Sequence, residues 1–192
     1  MLTQLKSWYK LAEIFTHMAW DNVHRLIHGI PSLKRSQITA NVFLGSQYSL
    51  VGLQKLKALG VTAIVNMREY PIFQESQYEG FHYLHLPTVD NTPPTLATLI
   101  RGADFVNKEI QAGGTVYIHC RQGLGRGPTM CLAYLISTGL TYDDAFALVK
   151  KVRTFINPRP GQIDRLKELE KYYKSEANPE GDAAGYHPNE TE

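Results

Sequence analysis

The sequence predicts an α/β protein whose central, mostly parallel sheet is flanked by helices. Short runs rich in β-branched and aromatic residues recur at residues 41–45, 61–66, 81–86 and 115–118. Segments with the helical spacing of apolar residues separate these runs, and such alternation is typical of a parallel sheet covered on both faces. Apolar residues make up 43% of the 192 residues and charged residues 20%, as in an ordinary globular protein with one core.

The composition also excludes several classes of function. A net charge of +2 gives no strong attraction to nucleic acid, so no nucleic-acid partner is expected. No apolar run approaches the roughly 18 residues of a membrane span, and Lys6, Lys10 and Glu13 interrupt the apolar positions that a secretory signal would need. Cys120 and Cys131 are too few for a disulfide scaffold and indicate thiols in a reducing compartment. We therefore expect a cytoplasmic protein.

The first 30 residues have apolar positions three and four residues apart, among them Tyr9, Phe15 and Val23, which predicts an amphipathic helix. Pro31 ends this segment. Two interpretations remain open. The helix packs on the domain, or it presents a surface, with a basic character, to a membrane or a protein partner.

The remaining elements follow in a regular order. Helices are predicted at residues 50–59, 95–111, from Gly127 onward, at 141–153 and at 162–173. Thr141 can cap its helix, and Asp143 and Asp144 belong to the first turn of that helix. Asp104 and Glu109 lie inside a helix, where solvated positions are expected.

The chain thus divides into three parts. We predict an N-terminal helical extension at residues 1–35, a catalytic domain at residues 36–174 and an acidic, disordered tail at residues 175–192.

The stretch from residue 115 to residue 131 combines a strand, a glycine-containing loop and the start of a helix. Gly123 and Gly125 allow the loop to turn its backbone N–H groups inward, where the positive end of the helix dipole also points. Cys120 stands at this point and Arg126 six residues later. An amide-lined, electropositive position favours the thiolate, and the guanidinium can grip two oxygens of a phosphoryl group. The pattern predicts nucleophilic attack on phosphorus.

Departure of the alkoxide or phenoxide requires a proton donor. Asp90 is the best candidate, because it lies in a loop at residues 87–94 that follows a predicted core strand. The alternative is that Asp90 is only a turn residue.

These residues resemble the signature of the protein tyrosine phosphatase superfamily. His119, Cys120, five residues and then Arg126, with Gly123 between, match its signature loop, and Asp90 lies where the dual-specificity branch keeps its general acid. The resemblance spans roughly residues 36–173. It implies the dual-specificity phosphatase fold, hydrolysis of phosphomonoesters without a metal or other cofactor, and a phosphocysteine intermediate. A phosphoprotein substrate is the first expectation, with a shallow site for phosphoserine, phosphothreonine and phosphotyrosine.

The resemblance also implies roles for the loop residues. Those that surround the phosphoryl group are expected to be Arg121, Gln122, Gly123, Leu124, Gly125 and Arg126. His119 is interpreted as a supporting residue that hydrogen-bonds the loop backbone. Arg121 is either solvated or recruits an anionic substrate. Gln162 is either a polar residue at a helix N-terminus or a residue that places the hydrolytic water. Cys131 is interpreted as a core residue rather than a resolving thiol.

One position departs from the family pattern. Gly127 stands where family members usually carry a Ser or Thr whose hydroxyl bonds the cysteine sulfur, and Thr129 is no obvious replacement. We therefore expect slower breakdown of the intermediate, by about 1–2 kcal/mol, the scale of one hydrogen bond to a charged group.

Several other functions remain as alternatives. A phosphoinositide or phosphatidylglycerophosphate type of lipid phosphatase is suggested by Arg121 and the basic N-terminal helix, although Leu124 stands where lipid-directed relatives tend to have a second basic residue. A glucan phosphatase, a phosphate-binding pseudoenzyme and a sulfur-transfer enzyme of the rhodanese type rank lower.

Overall fold

The computed structural model describes residues 2–177, and the side chains of residues 2–7 and 10 lie outside this description. The α-helices in this range are α1 (Leu2–His28), α2 (Leu50–Ala58), α3 (Leu96–Gln111), α4 (Arg126–Ser137), α5 (Tyr142–Val152) and α6 (Pro160–Ala177). The strands are β1 (Val42–Gly45), β2 (Ala63–Asn66), β3 (His82–His85) and β4 (Val116–His119). Short 3-10 turns occupy Leu33–Arg35 and Glu75–Tyr78. Residues 175–177 of the predicted tail belong to α6, and the rest of that tail lies outside the described residues.

The four strands form one parallel sheet in the order β1-β4-β2-β3. Ile118 of β4 is aligned with Leu44 on one side and with Val65 on the other, so β4 lies inside the sheet. The predicted α/β class with a parallel sheet is confirmed. Because all strands run the same way, the segments that follow β3 and β4 leave the same edge of the sheet.

Helices cover both faces of this sheet, as the alternation of side chains along each strand requires. Val65 and Ile118 pack into an apolar cluster with residues of α3, α4, α5 and α6, whereas Ile64 and Tyr117 face a second cluster that includes Leu53 of α2. Residues 126–136 of α4 are all buried, which makes α4 the central helix of the first layer. Cys131 is fully buried there, and burial raises the pKa of its thiol to about 12.

The N-terminal helix α1 lies on the domain with its polar side inward. Phe15 and Leu26 are 60% and 78% exposed, although they belong to the apolar stripe that an amphipathic helix usually buries. The inward side carries His17, whose Nδ1 lies 2.9 Å from Thr154 Oγ1, and Asp21, which is only 3% exposed. The predicted helix is therefore present, and its apolar stripe faces outward.

No helix within the described residues combines the length and the hydropathy that crossing a membrane requires.

The expectation of a solvated Glu109 is wrong. Glu109 is buried, and its carboxylate lies 2.8 Å from Nδ1 of His82, the first residue of β3. The end of β3 that precedes the Asp90 loop is His85, so this pair lies at the opposite edge of the sheet. The apolar spacing that predicts α3 gives no information about His82, because this partner of Glu109 belongs to a distant strand.

Candidate active site

Cys120 directly follows the carboxyl end of β4, and α4 begins six residues later at Arg126. Its side chain is nearly buried, and its Sγ accepts a hydrogen bond from Gly123 N at 3.2 Å. Gly123 adopts a positive φ of 70°, a conformation that favours glycine and turns its N–H toward the sulfur. The predicted strand, loop and helix N-terminus thus converge on the thiol.

Arg126 joins the Cys120 loop to the loop that carries Asp90. Its Nη1 donates to Thr88 O at 2.8 Å, and its Nη2 lies 2.9 Å from Asp90 Oδ1. The guanidinium side chain is 6% exposed and the carboxylate 63% exposed, so a buried arginine meets an acid on the surface. Arg126 Nε is buried and has no partner among the described residues. A buried, unpaired donor of this kind is suited to an incoming anion.

The loop around Asp90 is mostly exposed and is held at three points. Asn91, which has a positive φ of 62°, accepts a hydrogen bond from Arg159 Nε at 2.9 Å. Gln162 at the start of α6 donates to Thr92 O at 3.0 Å. Arg126 provides the third contact. This loop is therefore held by side chains from the first residue of α4 and from the first turn and entry of α6.

These groups open onto one cavity of about 230 Å³. Its lining contains the three predicted catalytic residues together with neighbouring loop residues: Asp90, Asn91, Cys120, Arg121, Gln122, Leu124, Gly125, Arg126, Asn157, Arg159 and Gln162. Gly123 is the one predicted loop residue that is absent from this lining. Its Cα lies on the side of the loop that faces away from the cavity, where a Cβ would meet Gly45 O at 2.7 Å.

His119 is fully buried, and its Nδ1 lies 3.2 Å from Cys120 O, which is the backbone contact that the sequence suggests. Its ring meets Tyr48 edge-on at 5.0 Å, on the face of the sheet opposite the Cys120 cluster. Burial lowers the pKa of His119 to about 3. The ring is therefore neutral near pH 7 and donates through Nδ1 to the loop carbonyl.

Gly127 lies against Cys120. A Cβ at this position would be 3.4 Å from Cys120 Sγ and 3.2 Å from Cys120 N. Thr129 Oγ1 donates instead to Gly125 O at 2.9 Å, one turn back along α4. Thr129 thus does not supply the hydroxyl that Gly127 lacks.

Sequence reasoning missed three arginines around the site. Arg159 lines the cavity beside Arg121. Arg68 follows β2, and burial lowers its pKa, as do the nearby charges of Arg121 and Arg126. Since Arg68 comes just after the carboxyl end of a predicted strand, its position could have been inferred from the parallel sheet.

Arg153 is the third, and it lies beneath the Cys120 loop. It is fully buried, and its Nε donates to Gly123 O at 3.1 Å. An arginine at the end of a predicted helix gave no sequence signal for this contact. Within the described residues, no group of three or more His, Cys, Asp or Glu side chains is arranged to hold a metal ion.

Comparison with known proteins places this geometry in a family. The family model described as "Dual specificity phosphatase, catalytic domain" matches residues 42–172. Dual specificity protein phosphatase 1 of Homo sapiens is 34% identical over 137 residues, which are 70% of this chain and 36% of the relative. Phosphatidylglycerophosphatase and protein-tyrosine phosphatase 1 of Homo sapiens is 40% identical over 110 residues, 56% of this chain and 55% of the relative. The chain thus spans about a third to just over half of these curated relatives.

Solved structures agree with the sequence relatives. The crystal structure of PTPMT1 superposes with a TM-score of 0.70 at 31% identity and covers 74% of this chain and 97% of its own. The crystal structure of human DUSP28 superposes with a TM-score of 0.67 at 26% identity, and the match covers 73% of this chain and 99% of the DUSP28 chain. With a family match over most of its length and the same fold in these neighbours, the chain belongs to the dual-specificity phosphatase family.

Proposed function

We propose that this protein hydrolyses phosphomonoesters with Cys120 as the nucleophile. The observation that carries the proposal is the meeting of three groups in one cavity of about 230 Å³: a nearly buried thiol, a buried guanidinium and an exposed carboxylate. The amides of residues 121–126 and the N-terminus of α4 would hold the phosphoryl oxygens. Positioned charge of this kind is the main contribution that a protein makes to phosphoryl transfer.

In the first step, Cys120 Sγ attacks phosphorus, so that an S–P bond forms while the P–O bond to the leaving group breaks. Asp90 gives its proton to the departing oxygen. In the second step, Asp90 takes a proton from water, the water oxygen attacks phosphorus and the S–P bond breaks. Inorganic phosphate leaves and the thiolate is restored.

The contacts of Arg126 suggest how substrate releases the acid. In the free protein its Nη2 binds Asp90 and its Nε has no partner among the described residues. A phosphate dianion offers two oxygens to this side of the guanidinium and competes with the single carboxylate. Asp90 is then free to turn toward the leaving group.

Hydrolysis of p-nitrophenyl phosphate tests this proposal. We expect turnover by the wild type and a loss of more than about 10⁴-fold in Cys120→Ser, because a hydroxyl is a far weaker nucleophile than a thiolate. Cys131→Ala is the matched control, since Cys131 is buried in the core away from the cavity. Activity that survives in Cys120→Ser would remove the mechanism, and a wild type that binds phosphate without turnover would indicate a pseudoenzyme.

Phosphoproteins are the proposed substrate class, because the family model and a relative named dual specificity protein phosphatase 1 match about two thirds of the chain. A lipid phosphomonoester is the second candidate. It is favoured by the arginines around the cavity and by a relative whose name includes phosphatidylglycerophosphatase. Turnover of phosphopeptides compared with phosphatidylglycerophosphate and phosphoinositides, with Asp90→Ala used to trap bound substrate, separates the two classes.

The outward stripe of α1 supports a proposed contact with an anionic membrane surface. Trp8, Tyr9 and Trp20 are more than half exposed, and such aromatic side chains favour the boundary between water and lipid. Residues 1–35 contain five Lys and Arg against two acids, which complements anionic headgroups.

Sedimentation with vesicles tests this contact. We expect binding to phosphatidylglycerol vesicles and not to phosphatidylcholine vesicles, with loss of binding in a Trp8→Ser, Trp20→Ser variant. Absence of binding would contradict the proposal, and so would a dimer in solution that the same substitutions dissociate.

The proposed organisation is a catalytic domain at residues 36–174 preceded by the extension at residues 1–35. A cytoplasmic location is proposed because a reactive thiol persists in a reducing compartment, and both cysteines are unpaired. Cell fractionation with an antibody to the full chain tests the location.

A further inference from the structure

Arg153 follows the last residue of α5 and contacts the carbonyls of two consecutive loop residues. Its Nε donates to Gly123 O at 3.1 Å, and its Nη2 donates to Gln122 O at 3.2 Å. The guanidinium also stacks on Phe155, with Cζ 4.3 Å from the ring centroid. Gly123 leaves room for it, because a Cβ there would lie 2.6 Å from Arg153 Nη2.

These two hydrogen bonds determine where the loop amides point. In a trans peptide the C=O and the following N–H point in opposite directions. Holding Gln122 O behind the loop therefore turns Gly123 N–H forward, and this N–H is the one that donates to Cys120 Sγ at 3.2 Å. Holding Gly123 O in the same way turns Leu124 N–H toward the cavity that Leu124 lines.

A fully buried guanidinium needs a counter-charge, and α1 supplies it. Asp21 Oδ2 lies 2.9 Å from Arg153 Nη2, and Asp21 Oδ1 lies 3.5 Å from Arg153 Nη1. Asp21 is 3% exposed. It belongs to a helix that lies outside residues 42–172, the part of the chain that the family model matches.

We propose that Asp21 of the N-terminal helix is a positioning residue for the reaction at Cys120. It fixes the guanidinium of Arg153, which in turn aims the amides of Gly123 and Leu124 at the sulfur and at the phosphoryl oxygens. This inference rests on the proposed function and adds a residue of α1 to its machinery. This role also accounts for the polar side of α1 facing the domain, because the helix must present Asp21 to Arg153.

The test compares Asp21→Asn with Glu13→Gln. Both substitutions remove one negative charge from α1, and Glu13 is exposed. We expect Asp21→Asn to lower kcat about 10-fold, since small displacements of positioning groups carry losses of this order or more. We also expect weaker inhibition by orthovanadate and slower alkylation of Cys120 by iodoacetate. Glu13→Gln should match the wild type in all three measurements.

A double variant, Asp21→Leu with Arg153→Met, separates positioning from stability. Replacing both members of a buried ion pair with apolar side chains restores or preserves stability in many proteins. We therefore expect its Tm to lie near that of the wild type, while kcat, orthovanadate affinity and the rate of Cys120 alkylation remain impaired. Recovery of all three with the Tm would overturn the proposal, and so would a folded Asp21→Asn variant that behaves as the wild type.

Failure of the proposed function is distinguishable from failure of this inference. If wild-type protein hydrolysed no phosphomonoester, the proposed function would fall, while orthovanadate binding and Cys120 alkylation would still show whether Asp21 positions the loop.

Discussion

The loop that carries Cys120 and the loop that carries Asp90 meet in one cavity, yet they are held in different ways. The Cys120 loop lies between β4 and α4, with carbonyls bound by the buried Arg153. Most residues of the Asp90 loop are exposed, and side chains from outside the loop hold it at a few points. This difference matches the two proposed roles. The Cys120 loop would hold the phosphoryl oxygens and needs fixed donors, whereas Asp90 would act first as acid and then as base and must be free to change partners.

Arg126 is the contact that joins the two loops, so Arg126→Lys should have the largest effect among substitutions that leave Cys120 in place. Lysine keeps the charge but loses the planar fork that reaches both Thr88 O and Asp90. We expect kcat/KM for p-nitrophenyl phosphate to fall by about 10³-fold. Arg165→Lys, on the surface of α6, is the matched control and should retain activity. A loss of only a few-fold in Arg126→Lys would show that the fork is not used.

Asp90→Asn removes the proposed proton donor and leaves the residues of the Cys120 loop in place. We expect kcat for an alkyl phosphate to fall about 100-fold. The release of p-nitrophenol in the first step should fall much less, because this leaving group needs little protonation. Asp104→Asn, an exposed acid of α3, is the control. Equal losses with the two substrates would argue against Asp90 as the acid.

His119 links the Cys120 loop to the core, and its burial predicts a pH dependence of stability. Its pKa is about 3 in the folded protein against 6.5 as the ordinary value, so the unfolded chain binds the proton more readily. The contribution of neutral His119 to the free energy of unfolding is complete above pH 6.5. It is lost as the pH falls toward 3, by about 1.4 kcal/mol per pH unit.

Urea unfolding of the wild type and of His119→Asn between pH 7 and about pH 4 measures this slope. The difference in free energy of unfolding between the two proteins should shrink as the pH falls. A difference that is independent of pH would mean that folding leaves the proton affinity of His119 unchanged.

The smallest expected effect comes from Gly127→Ser. The new Cβ would lie 3.4 Å from Cys120 Sγ, close enough for its hydroxyl to reach the sulfur after a small adjustment against Cys120 N. If breakdown of the intermediate limits turnover, the steady-state rate should rise about 5-fold, which corresponds to about 1 kcal/mol. Burst kinetics with p-nitrophenyl phosphate measure it. An unchanged burst and an unchanged steady-state rate would contradict this interpretation.

The sequence predicts the features that repeat over short distances. The alternation of strands and helices shows the parallel sheet, and the spacing of Cys120 and Arg126 indicates an anion cradle whose strand, loop and helix the structure contains. Asp90 could be placed near them because loops that follow parallel strands leave the same edge. Each of these inferences starts from a short local pattern in the sequence.

Contacts between distant segments could not be predicted in this way. Asp21 and Arg153 are separated by 132 residues, and neither has a neighbour that identifies its partner. The outward face of α1 also could not be predicted, because helical periodicity gives the position of a stripe but not the direction in which it faces. Glu109 shows the same limit, since its partner His82 belongs to another element.

Detection of a phosphoryl group on Cys120 tests the central claim most directly. Asp90→Asn should still transfer phosphate from p-nitrophenyl phosphate to the sulfur, while lacking the base that activates water for the second step. Mass spectrometry after acid quench should then find one phosphoryl group per chain, located on Cys120, and none in the Asp90→Asn, Cys120→Ser variant. Release of p-nitrophenol without a phosphoryl group on Cys120, at a rate that Cys120→Ser leaves unchanged, would contradict it.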